Sequence, residues 1–281
     1  GSSGMVALWQ GKQDLALSKL QQAFPLAQML EDDLIVATTR MAMGIAFINM
    51  GKDDSARPLL EQSSHYFKQA NQPYFHALTL VHLGNAELGL GNPERSRAYH
   101  EEGLAMARAI NENWLISFAL NNLGEVARTQ GQFDLARKYY EECIALLHPS
   151  GDRGDVARFV HNLGYIAQHE EEFEQAESLF RESLTMFRRL GNRRGIAESL
   201  AGLAGLKARQ GKIEWGAVLL NAAESILKVT GGAWWPADRV EVERNLEMLH
   251  AALTADEFAH LHSLGAGMNI DQAIAFASHE P

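Results

Sequence analysis

Asn122-Leu123-Gly124-Glu125-Val126-Ala127-Arg128-Thr129-Gln130-Gly131, followed by Ala136 and Tyr140, is the stretch that decides the fold, because its pieces return every forty residues. Met43-Gly44, Leu83-Gly84, Leu123-Gly124, Leu163-Gly164 and Leu203-Ala204 form one column; Gly11, Gly51, Gly91, Gly131 and Gly211 form another seven residues on, broken only by Glu171. Self-similarity of this length predicts a stacked array in which each unit is a helix pair burying its apolar face on its neighbours.

Two further columns identify the elements as helices. Small residues stand five past the turn glycine, at Ala16, Ala56, Ser96, Ala136, Ala176 and Gly216, and a large residue follows four later at Leu20, Leu60, Tyr140, Phe180 and Leu220. Residues four apart share one helical face. The small residue lets the second helix of a pair (helix B) approach the first (helix A), whose contact point is Gly44, Gly84, Gly124, Gly164 or Ala204. Glycine inside a helix costs roughly 1 kcal/mol, so its recurrence there requires close packing in return.

The registers predict helix A at 34–50, 73–90, 112–130, 153–170 and 193–210, and helix B at 13–30, 53–70, 93–110, 133–148, 173–190 and 213–229. Asn71, Asn111, Gly151, Gly191 and Gly231 end B helices where a left-handed residue is wanted, and Pro93 opens one at its first turn.

Leu-Gly-x-x-Ala, then the turn glycine, then the alanine of helix B, resembles the tetratricopeptide repeat in a forty-residue form. The resemblance covers residues 5–232 and implies an all-α fold: a right-handed superhelix (α-solenoid) of antiparallel helix pairs, one partial and five complete, with a C-terminal helical cap over 233–281. The segment from Trp234-Trp235-Pro236-Ala237-Asp238-Arg239 through Glu257-Phe258 to Met268 and Ala273-Ile274-Ala275 is similar to the closing part of such arrays in bacterial signal-transducing NTPases (STAND proteins) and in large, maltose-regulator-like transcriptional activators. In that family a nucleotide-binding switch domain and a winged helix precede the array, so the resemblance implies a C-terminal sensor portion.

Composition fits a cytoplasmic module. Gly1-Ser2-Ser3-Gly4 reads as a vector scar, no basic apolar leader follows it, and no apolar run approaches the length that spans a bilayer. The single Cys143 forms no internal disulfide; it shares a small-residue column with Ala23, Ser63, Gly103, Ser183 and Ala223 and reads as a packing residue. A net charge of −10 argues against direct nucleic-acid binding, since phosphate neutralisation supplies most of that affinity. Arg188-Arg189 and Arg193-Arg194 flank Gly191 at a helix turn and complement a helix end.

Catalytic and metal signals do not accumulate. Gly11-Lys12, Gly51-Lys52 and Gly211-Lys212 end like phosphate-binding loops, yet no Ser or Thr follows and all sit in the turn column. No His-Glu-x-x-His occurs among the eleven histidines, and His260 and His262, two apart, diverge on a helix. Glu170-Glu171-Glu172 is a carboxylate run at a turn, read as solvated. The expectation is a non-enzyme with no catalytic residue, no metal and no cofactor.

The inner wall carries the functional reading. The resemblance implies that A helices line a concave surface. Two before the Leu-Gly glycine stand Ala42, His82, Asn122, Asn162 and Gly202; one after it stand Ile45, Asn85, Glu125, Tyr165 and Gly205. Asn is a poor helix former, so Asn122 and Asn162 at one register want a reason. In peptide-binding members of the family an Asn in this column grips the ligand backbone, which a paired donor and acceptor suits; the plainer alternative is a tolerated exposed Asn inherited by duplication. Phe118, Arg158 and Glu198 lie six before the glycine, and Arg128 and Gln168 four after it. Arg158 and Arg128 suit a carboxylate, with Phe118, Tyr165 and Phe159 as apolar contacts, and the set resembles a peptide groove of acidic preference; salt bridges to Glu125 or Glu198 are the alternative for each Arg. The registers predict that Asn122, Asn162, Arg128 and Arg158 are solvent-exposed on one surface.

Two functions from different classes follow. One is a sensor or autoinhibitory module of a larger switch NTPase or regulator, its partner being its own upstream domains, another protein, or a small-molecule effector. The other is a stand-alone adaptor that tethers acidic peptide segments of partner proteins. At the array's ends, Trp234 and Trp235 are expected to plug the last repeat ahead of a helix opened by Pro236. Residues 5–30, with only Val6 to Gln10 left of their A helix, are expected to be mobile or covered by a second copy burying Trp9.

Overall fold

In the computed structural model the described residues are 2–9, 11–147 and 153–278, and all their regular structure is helical. The order is α1 (Ser2–Trp9), α2 (Gln13–Met29), α3 (Asp33–Asn49), α4 (Asp53–Gln69), α5 (Pro73–Gly89), α6 (Pro93–Ala109), α7 (Asn113–Thr129), α8 (Phe133–Leu147), α9 (Arg153–His169), α10 (Phe173–Leu190), α11 (Arg193–Arg209), α12 (Ile213–Val229), α13 (Pro236–Ala252), α14 (Ala255–Ala266) and α15 (Ile270–Ser278). From α2 to α12 each helix starts twenty residues after the last, so odd numbers are A helices and even numbers B helices, in the predicted registers. The chain forms two compact units, 1–149 with 231–237 and 150–230 with 238–281. Within each, consecutive helices pack side by side, and A helices touch the next A helix.

The packing rule of the pair is sharper than the sequence implied. A Cβ added to Gly44 would lie 2.7 Å from Leu60 Cγ and 3.4 Å from the Ala56 carbonyl; at Gly124 it would lie 2.4 Å from Tyr140 Cε1, and at Gly164 2.8 Å from Phe180 Cδ1. The small residue of helix B brings its backbone close, and the large residue one turn on lies flat over the glycine. His100 fills the large position opposite Gly84. Cys143 is buried in the small column, its thiol 3.2 Å from the Ser117 carbonyl oxygen, as a packing residue should be.

Each A-to-B turn is closed by a long-reaching backbone bond, such as Gln132 N–H to the Ala127 carbonyl at 2.8 Å, which requires a left-handed residue between them. Glycine supplies it except at Glu171, which is held at φ 63°. Glu31, Asn71 and Asn111 take the same conformation at the B-to-A turns; Gly151 lies outside the described residues. Because a side chain in this region costs roughly 1–2 kcal/mol, partly offset by the chain freedom glycine gives the unfolded state, Glu171→Gly is expected to raise stability by about 0.5–1 kcal/mol in urea unfolding.

At the start of the chain the residues read as a scar, and so set aside in predicting the fold, are helical: α1 begins at Ser2, and an added Cβ at Gly4 would meet Leu20 Cγ at 2.8 Å, the same contact as Gly44 with Leu60. Ala7 and Leu8 are buried with Ala16, Leu20, Ala42 and Ala46, whereas Leu15, Leu26, Met29, Leu30 and Ile35 stay exposed. The Trp9 side chain lies outside the described residues. At the other end Pro236 does open α13, but Trp235 does not plug the last repeat; it packs in the first unit against the cluster of Met41, Ile48, Leu60 and Leu83, beside Ala233, whose N–H bonds the Asn49 carbonyl at 2.9 Å. The physical cover of α12 is α14 and α15: an added Cβ at Gly265 would lie 2.2 Å from the Val218 carbonyl, and Phe276 stacks on Trp215 at 5.4 Å. A capping box of Thr254 and Glu257 starts α14.

Candidate functional site

The polar residues read as a ligand wall fall into two groups, one per unit. In the first unit His82, Asn85, Asn122, Glu125 and Arg128 are buried and Phe118 is half-buried. The Asn122 amide donates to the Phe118 carbonyl of its own helix at 2.6 Å, and Glu125 accepts from Asn121 at 2.8 Å. The His82 ring lies 5.3 Å from Phe118, which stacks on Trp114 at 5.4 Å. Burial holds His82 at a pKa of about 4 and His100, with His82 adding to the shift, at about 3. Both are therefore neutral at pH 7, and neither ring nitrogen of His100 finds a hydrogen-bond partner among the described residues.

In the second unit Asn162, Tyr165 and Gln168 are buried and Arg158 is half-buried. Tyr165 meets Phe180 edge-on at 5.1 Å and His161 at 4.9 Å. The expectation of exposed side chains at Asn122, Asn162, Arg128 and Arg158 is thus corrected, and two causes are visible. The register two before the glycine points into a seam between helices, since an added Cβ at Gly202 would lie 2.5 Å from Phe180 of the preceding B helix. The register one after it is covered by α13 in the second unit: an added Cβ at Gly205 would lie 2.2 Å from the Asn245 amide.

Helix α13 lays one polar stripe on α9 and α11. Asp238 Oδ1 stands 3.9 Å from His161 Nε2, and the two Glu241 oxygens stand 3.0 and 3.1 Å from His169 Nε2. Arg244 reaches back to Glu241 at 3.4 Å. Arg194, on the first turn of α11, is 3.8 Å from Glu198; burial pulls its guanidinium below the ordinary value, with Arg158 adding to the shift and Glu198 and Asp238 opposing it. Arg158, His161, His169 and Arg194, with Glu198 beside Arg194, thus line one wall of two guanidinium groups and two imidazoles, and Asp238 and Glu241 form an acidic helix face laid on it. The sequence reading passed over Asp238, Glu241 and Asn245, although positions three and four apart in a helix opened by a proline mark one stripe.

This arrangement can bind and be covered; among the described residues no group of three or more His, Cys, Asp or Glu is placed to hold a metal ion. Residues 75–147 and 155–214 match the Tetratricopeptide repeat family. Over those residues the helix pairs are tetratricopeptide repeats, a class of fold that serves protein–protein interaction, and α2 to α4 keep the same forty-residue register. No curated protein matches the sequence. Among solved structures the chain is similar to a Rap protein complexed with Competence and Sporulation Factor, at 13% identity over 98% of this chain and 74% of that one with a TM-score of 0.74. It is also similar to the Rap conjugation gene regulator of the plasmid pLS20 in complex with the Phr* peptide, at 15% identity over 95% of this chain and 75% of that one, TM-score 0.65. A Signal Transduction ATPase with Numerous Domains protein with a tetratricopeptide repeat sensor, from Pyrococcus horikoshii, aligns at 16% identity and TM-score 0.59; this chain covers 43% of its length and 97% of its own. At such identities the likeness is one of fold.

Proposed function

We propose that the chain is a cytoplasmic protein- or peptide-binding module that works as the sensor of a larger signalling NTPase or transcriptional regulator. The observation that carries this reading is the polar lining of the A helices. A solenoid held together only by packing has no use for buried His161, Asn162 and Gln168 and half-buried Arg158 and His169 on one helix, since a polar group taken out of water costs stability unless paired. No helix among the described residues is long and apolar enough to cross a membrane. The likeness to a sensor of a multidomain ATPase supports the sensor role, and the likeness to Rap proteins solved with Competence and Sporulation Factor or with the Phr* peptide supports the stand-alone reading, in which the same wall tethers acidic segments of partner proteins.

The ligand-contacting residues in this reading are His82, Asn85, Phe118, Asn122, Glu125 and Arg128 in the first unit and Arg158, Asn162, Tyr165 and Gln168 in the second. A phosphate-binding loop and winged helix encoded upstream of Met5 would favour the sensor, and a start codon near Met5 the adaptor. Partner capture from the source cell should be lost when Asn122 and Asn162 are both replaced by Ala, with the helical content unchanged; full capture by the folded variant would overturn the assignment of these residues.

A further inference from the structure

We propose that the A-helix face of the second unit is a docking site for an acidic helical segment of a partner, and that α13 is its resident occupant, displaced when such a segment binds. The proposal rests on the interaction-module reading above and adds the chemistry of the ligand and the means of regulation.

Charge complementarity identifies the occupant. The wall offers the guanidinium groups of Arg158 from α9 and Arg194 from α11, the latter shared with Glu198, and the imidazoles of His161 and His169, while α13 offers Asp238, Glu241 and Asn245 at a spacing of three and then four residues, all three buried. A partner helix carrying Asp-x-x-Glu-x-x-x-Asn would present the same groups to the same wall. Exchange of one such helix for another keeps the wall's charges paired throughout, which removes the main cost of opening a buried ionic contact, namely one charge left alone.

The fit of α13 leaves room for a better ligand. Both amide atoms of Gln168, on the wall itself, are buried without a hydrogen-bond partner among the described residues. An unmade buried hydrogen bond is costly, so a segment that satisfies this amide gains over the resident helix. In contrast to α14, which lies backbone to backbone on α12 at Gly265, α13 meets the wall through side chains. It also stands outside the forty-residue register, joined to α12 through Gly231-Gly232 and to α14 through Leu253-Thr254.

The probe is a fluorescent peptide of residues 236–252 titrated into the full chain, wild type and Asp238→Asn/Glu241→Gln. The weakened resident helix should let the double variant bind the peptide at least about tenfold more tightly than wild type does. A peptide bearing the same two substitutions should lose that binding, and so should the double variant after Arg158→Glu. Equal affinity for both chains, or binding indifferent to Arg158→Glu, would overturn the proposal. Should the double variant not fold, hydrogen exchange on the wild-type chain decides: excess peptide must speed exchange over 238–252, and unchanged protection there at saturation contradicts displacement. A partner that binds wild type while 238–252 stays protected would leave the interaction-module reading standing and end this one.

Discussion

Taking the protein from pH 7 to pH 4 should destabilise its first unit severely, through two rings. His82 and His100 are buried and neutral, with pKa values of about 4 and about 3 against about 6.5 for a free histidine. The unfolded chain therefore takes up protons first. Stability from this source is complete above about pH 6.5 and is lost as the pH falls towards the folded-state values; by linkage the loss at pH 4 is on the order of 3 kcal/mol for each ring taken alone. The repeat itself names the control: His100 occupies a column held elsewhere by Leu20 and Leu60, so His100→Leu should be tolerated and should shift the acid midpoint downward. Circular dichroism against pH checks this. A wild-type midpoint unmoved by His100→Leu would mean that the rings are solvated.

Replacing Gly124 or Gly164 by Leu should cost at least the 1–3 kcal/mol usual for overpacking. The first atom of a side chain at Gly124 would already lie 2.4 Å from the Tyr140 ring, which is fully buried. Leucine's better helix propensity returns only about 1 kcal/mol. Separation of α7 from α8, or of α9 from α10, is the only relief, and it exposes both apolar faces. Thermal midpoints equal to wild type for both variants would mean the helix contact lies elsewhere.

The helices and their pairing could be read from the chain because they depend on periodic local features: a glycine and a large residue sixteen apart, a left-handed turn residue, a repeat of forty. Even the departure at Glu171 was legible as a break in a column, though Glu31, carrying no glycine, was not. The functional face was only partly legible. Asn122, Asn162, Arg128 and Arg158 were placed on the right helices, but their burial depends on where α13 and the neighbouring seams lie. Those placements arise from contacts between residues as far apart as His169 and Glu241, which no forty-residue column encodes. Likewise Trp235 looked like a plug for the nearest repeat, whereas its indole packs on a cluster built from α3 to α5.

The central claim is that the polar A-helix face of the second unit exists but is covered by the chain's own α13. A thiol introduced by Gln168→Cys, in a Cys143→Ala background, tests it through its rate of reaction with a maleimide, compared with one introduced at exposed Glu182. The covered face predicts modification at position 168 at least about tenfold slower than at 182, limited by opening of α13, and accelerated by Asp238→Asn/Glu241→Gln. Equal rates at the two positions in the folded chain would contradict it.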